Sequence, residues 1–136
     1  MGGAVVTVLD TQAWLWWLHD PARLSVAARA RIETAVSKGD ARLSAISVWE
    51  VAVKAALGKL ALSMPMETWF EQASRYPGIV IDAVGPLDAI ASTVLPGEFH
   101  KDPADRLIVA LARRLGVPLV TSDEKIRDYA HVSTIW

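Results

Sequence analysis

Four acidic side chains stand where an α/β chain can do chemistry. Asp10 follows the β-branched run Ala4–Leu9 (AVVTVL) directly, and Asp123 follows the short apolar piece Pro118–Val120. Glu50 lies in SVWE, after a weaker strand candidate at Arg42–Ile46, and Asp105 lies in DPAD at the head of an amphipathic segment. In a parallel sheet with helical crossovers, ligands bind beyond the carboxyl ends of the strands, which is where these acids fall. Two carboxylates about 4 Å apart repel by roughly 4 kcal/mol at an effective dielectric of 20. A helix N-terminus returns only about 0.3–1 kcal/mol to an anion. A divalent cation offsets the rest. Oxygen donors without cysteine favour the hard ions Mg²⁺ or Mn²⁺, and the chemistry that such a site serves is hydrolysis of a phosphodiester.

Each acid taken singly has a plainer reading. Ser47 and Glu50 form a capping-box pattern, Asp102 suits an N-cap, Asp105 suits the N3 position of the same helix, and Asp123 suits a helix start. Asp10 could cap the helix that follows it. Only their joint placement favours a shared site.

The elements that must position these residues alternate. After the first strand, Thr11–His19 reads as a helix, Ser25 to about Lys38 as a second that stops at Gly39, and Ser47 to about Leu57 as a third that stops at Gly58. Pro65 and Pro77-Gly78 bracket another helix, Ile79–Val84 reads as a strand, and Pro86–Leu95 as a helix. Pro103–Leu115 has the clearest amphipathic spacing (Leu107, Ile108, Leu111, Ala112, Leu115) and ends at Gly116. A short helix to about Tyr129 and an extended Val132–Trp136 close the chain. This alternation implies a three-layer α/β/α sandwich with a mostly parallel sheet. Trp14, Trp17 and Leu18 share a helix face suited to packing, whereas Trp16 points elsewhere, as toward a protein interface.

Composition narrows the class. A chain of 136 residues has the length of one domain, residues 1–136, and 52% hydrophobic residues with a mean hydropathy of +0.28 exclude disorder. No cysteine means no disulfide framework and no thiolate metal site, and the scattered His19, His100 and His131 form no zinc-type pair. The longest apolar runs, Ala13–Leu18 and Leu107–Ala112, are far short of a membrane span, and MGGAVVTVLD lacks the basic start of a secretory signal, so a cytoplasmic protein is expected. The formal net charge of −1 announces no global basic field. If the acids converge, however, Lys54, Lys59, Lys101, Arg106, Arg113 and Arg114 are left to hold phosphates.

At these residues the chain resembles a known family. VVTVLDTQAWLWWL, SAISVWEVAVKAALGKLAL, FHKDPADRLIVALARRLGVPLVTSDEKI and the closing TIW, in that order over essentially the whole chain, resemble the PIN-domain ribonucleases, specifically VapC-type toxins of toxin–antitoxin pairs. The resemblance implies that Asp10, Glu50 and Asp105 are the acidic metal-site residues, with Asp123 the fourth and Thr11 and Ser122 lining the site. It further implies a Mg²⁺- or Mn²⁺-dependent endoribonuclease acting on RNA, a homodimer, and a cognate antitoxin whose C-terminal segment docks near the site. DNA would be touched only indirectly, through the antitoxin.

Rival readings fare less well. A phosphoryl-acceptor domain needs an adjacent acidic pair at the first strand, where Asp10 stands alone, and a haloacid-dehalogenase-like phosphatase needs an Asp where Gln12 stands. A catalytically inactive PIN-like scaffold that binds a protein or nucleic acid is the remaining alternative, and the intact acids speak against it.

Overall fold

The computed structural model describes residues 5–136; Ala4, the first residue of the expected opening strand, lies outside them. In chain order the elements are β1 (Thr7–Leu9), α1 (Thr11–His19), a 3-10 turn (Pro21–Arg23), α2 (Val26–Ser37), β2 (Ala41–Ser44), α3 (Ala45–Ala56), α4 (Met66–Ser74) and β3 (Ile79–Asp82). α5 (Pro86–Thr93), α6 (Pro103–Leu115), β4 (Leu119–Val120), α7 (Glu124–Arg127) and β5 (Thr134–Ile135) complete the chain. The sheet is five-stranded and parallel throughout, in the order β3-β2-β1-β4-β5. The expected α/β sandwich is therefore present. The chain builds outward from β1 in both directions, so the strand order reverses between β1 and β4. That is the switch point at which open α/β sheets bind ligands.

Alternation along the central strands separates two apolar layers. Leu9, Leu43 and Val120 face a core made with Trp14, Ala28, Ile32, Val51 and Trp69. Val8 and Leu119 face the opposite core, with Ile108, Val109, Leu111 and Ile126. α6 is buried around most of its middle, Val109 and Ala110 included, which is more than the amphipathic stripe alone predicts. Among the described residues no helix is long and apolar enough to cross a membrane.

The local signals behave as their chemistry requires. α1 and α6 have the expected bounds because each is capped by an aspartate: Asp10 accepts from the Ala13 amide at 2.8 Å, and Asp102 from the Asp105 amide at 3.0 Å. Gly116 ends α6 in the left-handed conformation that glycine tolerates (φ 68°). The aromatic face of α1 packs inward, with Trp14 edge-on to Trp69 at 5.2 Å and Trp17 against Tyr76 at 6.2 Å. Trp16 is part-exposed and leans on Trp136 at 5.7 Å, within its own chain.

One backbone position is unusually intolerant. Gly78 has φ +85°, and a Cβ there would lie 2.1 Å from the Val36 carbonyl oxygen. Gly78→Ala combines left-handed strain with a backbone collision and is expected to cost about 3 kcal/mol or more. Urea denaturation showing less than about 1 kcal/mol would contradict that close approach.

Candidate active site

The carboxyl edge of β1 and β4 gathers the acids. Asp10 leaves β1 and caps α1, while Asp123 follows β4 by three residues and caps α7, its carboxylate accepting from the Lys125 amide at 2.9 Å. Asp105 projects from the first turn of α6, and Glu50 from α3. Two of them, Asp10 and Asp105, feel the others' charge. Burial pushes the Asp10 carboxyl up to about 6, opposed by hydrogen bonding from the Thr121 hydroxyl and the Ala13 amide and reinforced by the charges of Asp123 and Glu50. Burial likewise pushes Asp105 up to about 7, with Asp102, Asp123, Glu50 and Asp10 adding repulsion. Neighbouring negative charge and desolvation both disfavour ionisation.

The structure corrects the local reading of Glu50. α3 begins at Ala45, and its cap is Ser44, which accepts from the Ile46 amide at 3.2 Å. Ser47 and Glu50 therefore form no capping box, and Glu50 sits in the second turn of the helix. Both are instead met by Thr11, whose hydroxyl lies 2.8 Å from Ser47 Oγ and 2.5 Å from Glu50 Oε1. Ser47 and Thr11 are buried. Thr11, next to Asp10 in sequence, thus ties α1 to α3 through Ser47 and Glu50. Ser122 lies half-buried between Thr121 and Asp123.

Two further residues escaped the sequence reading. Thr121 is buried, receives the Asp123 amide on its hydroxyl at 3.1 Å, and hydrogen-bonds Asp10. Its signal was the Thr-x-Asp spacing, which a short side-chain turn requires. His100, one of the three scattered histidines, is half-buried with Nε2 3.0 Å from Asp105 Oδ2. Nothing local in the sequence marks that contact.

The expected phosphate-holding cations divide. Arg106 is spent on the carbonyls of Ser92, Phe99 and His100, Arg114 on a fork–fork pair with the buried Asp88, and Arg113 on the His131 carbonyl. These three are structural. Lys54 and Lys59, with Arg23, instead line a cleft of about 580 Å³ walled by Trp16, Leu60 and Leu62. The cleft begins at Gln12 and Lys54, one residue past Thr11 and one turn past Glu50.

As they stand, the acids do not enclose an ion: among the described residues no three His, Asp or Glu side chains are grouped to hold one. Three of them find a local partner instead, Asp10 and Asp123 on backbone amides and Glu50 on Thr11. In kind the donor set nevertheless suits a hard divalent cation. It offers carboxylate oxygens at one edge, two of them half or more desolvated and carrying repulsion that a cation would relieve.

The PIN domain family model matches residues 7–132. Over 131 residues the chain is 36% identical to Ribonuclease VapC22 of Mycobacterium tuberculosis (strain ATCC 25618 / H37Rv), spanning 95% of this chain and 97% of that protein. Among solved structures, VapBC2 from Rickettsia felis bound to a DNA fragment from their promoter superposes with a TM-score of 0.67 at 14% identity, covering 94% of this chain and 96% of that one. FitAcB from Neisseria gonorrhoeae does so with 0.65 at 21%, covering 94% and 95%, and a toxin–antitoxin complex from Klebsiella pneumoniae with 0.62 at 17%, covering 94% and 96%. The structural likenesses speak to the fold, and the curated relative to the sequence. With acids at the strand-order reversal and a family match over nearly its whole length, the chain belongs to the PIN-domain family and, within it, to the VapC group.

Proposed function

We propose that the protein is a divalent-metal-dependent endoribonuclease, the toxin of a toxin–antitoxin pair, acting in the cytoplasm and silenced by a cognate antitoxin. The observation that carries this reading is the single edge where burial and the charges of Glu50 and Asp123 raise the cost of ionising Asp10 and Asp105. The similarity to Ribonuclease VapC22 and the toxin–antitoxin complexes among the structural neighbours support it.

In this mechanism Asp10, Glu50 and Asp105 would hold Mg²⁺ or Mn²⁺, with Asp123 as the fourth acid of the set. When bound, such an ion supplies nucleophile activation and charge neutralisation at a phosphodiester. The protein's own work is positional. Thr11 restrains Glu50, and the Ala13 amide fixes one oxygen of Asp10. Lys54 and Lys59 attract the RNA backbone along the cleft, a contact that weakens steeply with salt. Unpaired bases can stack where Trp16 walls that cleft.

The test is cleavage of structured RNAs by the purified protein with Mg²⁺, with Mn²⁺ and with chelator. Cleavage that persists undiminished in chelator counts against the reading. A catalytically silent scaffold draws on one observation, the local bonds that already satisfy Asp10 and Asp123. It predicts no cleavage under any of the three conditions.

A homodimer belongs to the same proposal. Leu87 and Ile90 of α5 and Val94 just past its end are exposed at helical spacing, an apolar face of the kind that marks an interface. Light scattering at micromolar concentration is expected to give the dimer mass, and Ile90→Asp to shift it toward monomer. A wild-type monomer would defeat this part.

A further inference from the structure

The loop that enters α6 carries a histidine whose surroundings give it a task. The His100 ring stands edge-on to Phe99 at 4.5 Å, Phe99 packs on Tyr129 at 4.6 Å, and the Tyr129 hydroxyl donates to the Pro96 carbonyl. His100 Nε2 is buried and lies 3.0 Å from Asp105 Oδ2, at hydrogen-bond distance though not aligned for a bond, and it has no other partner among the described residues. Arg106 holds the same loop from behind. Its Nε donates to the Ser92 carbonyl at 2.7 Å, and its Nη1 donates to the carbonyls of Phe99 at 3.1 Å and His100 at 3.2 Å. The residue that follows Asp105 in sequence thereby fixes the backbone of the residue that faces Asp105 in space.

We infer that His100 is a positioning residue for Asp105: its Nε2, 3.0 Å from one carboxylate oxygen, comes into line as a donor when that carboxylate turns to a cation, with the Arg106 staple setting the ring in place. This rests on the proposed role of Asp105 as a metal ligand. In the tautomer that carries its proton on Nε2, an imidazole donates to a carboxylate and leaves Nδ1 as acceptor. A ligating carboxylate needs such an outer partner because a freely rotating one loses its orientation each time the ion leaves. Removing partners of this type typically costs about 10–100-fold in metal affinity. The phenyl wall at Phe99 and the three carbonyls on Arg106 account for why a loop residue can supply it: the loop is held at both ends of the contact.

Calorimetric titration with Mn²⁺ at neutral pH distinguishes this role from packing. His100→Phe keeps a ring against Phe99 but no donor, and is expected to weaken Mn²⁺ binding about 10–100-fold with the metal-free thermal midpoint unchanged. His100→Gln places an amide nitrogen near the position of Nε2 and is expected to recover most of the affinity. Arg106→Lys keeps the charge, loses the fork, and is expected to fall between them. In RNA cleavage the His100→Phe defect is expected in kcat at limiting Mn²⁺, with KM for RNA unchanged and excess Mn²⁺ restoring the rate. Equal Mn²⁺ affinity in wild type and His100→Phe overturns the inference, as does equal impairment of the Phe and Gln variants. Should His100→Phe not fold, unchanged affinity in Arg106→Lys overturns it. Wild type that binds no Mn²⁺ removes the proposed function and this inference together, whereas wild-type binding with an indifferent His100→Phe removes the inference alone.

Discussion

Asp105→Asn is expected to abolish RNA cleavage and to stabilise the metal-free protein at the same time. The loss follows from removing one charge of the proposed ion-holding set, and losses of preorganised charge cost about 10²–10³ in rate. The gain follows from the environment of the carboxyl. Asp105 is pushed up to about 7 by burial and by Asp102, Asp123, Glu50 and Asp10, so at pH 7.5 its ionised form is held at a cost. Each unit of displacement corresponds to about 1.4 kcal/mol between protonation states. Asn removes the charge and keeps the shape. Asp10→Asn is expected to behave alike, since its carboxyl is pushed up to about 6 and an asparagine still caps α1 toward the Ala13 amide. A rise of roughly 5–10 °C in the metal-free midpoint is the expected size. RNA cleavage by both variants at wild-type rate would defeat the assignment. Midpoints lowered in both would show that these carboxylates are structural.

The second large effect is a pH dependence that a divalent ion reverses. In the unfolded chain both aspartates lose their protons near pH 4, whereas in the folded chain Asp10 and Asp105 keep theirs to about 6 and about 7. Between those limits the folded state binds more protons, so stability falls as pH rises, and below pH 4 the two groups contribute nothing. The Asp10 share is about 3 kcal/mol, fully lost above pH 7. The metal-free protein is accordingly expected to melt higher at pH 5 than at pH 8. Mn²⁺ at a hundred times its dissociation constant returns about 2.7 kcal/mol at pH 8. It is expected to return little at pH 5, where protons compete for the same oxygens. A midpoint that rises from pH 5 to pH 8 without metal would contradict the buried, mutually repelling arrangement.

The legible parts of the fold were those governed by neighbours in sequence. Asp10 and Asp102 announced α1 and α6 because a cap joins a side chain to an amide three residues on, and Gly116 announced the end of α6 for the same local reason. The pair Ser44 and Ser47 shows where that reasoning stops. Both residues have cap chemistry, and β2 running on to Ser44 decided between them. Ser47 was thereby released to meet Thr11, 36 residues away. The arginines divide similarly: Arg106, Arg113 and Arg114 read as surface charge until carbonyls and Asp88 arrive from other elements.

By itself, the amino-acid sequence determined that strands alternate with helices and that an acid follows β1 and β4, because apolar runs, caps and stops act over a few residues. It thereby placed Asp10 and Asp123 on one edge, since strands of a parallel sheet all end on the same side. Only the tertiary structure decided which groups brace those acids. Thr11 on Glu50, Thr121 on Asp10 and His100 against Asp105 are side-chain meetings set by how helices pack on the sheet, with two of the three joining residues far apart in the chain. Such contacts form only after loop closure has been paid for by burial of the core, and no local pattern carries their geometry.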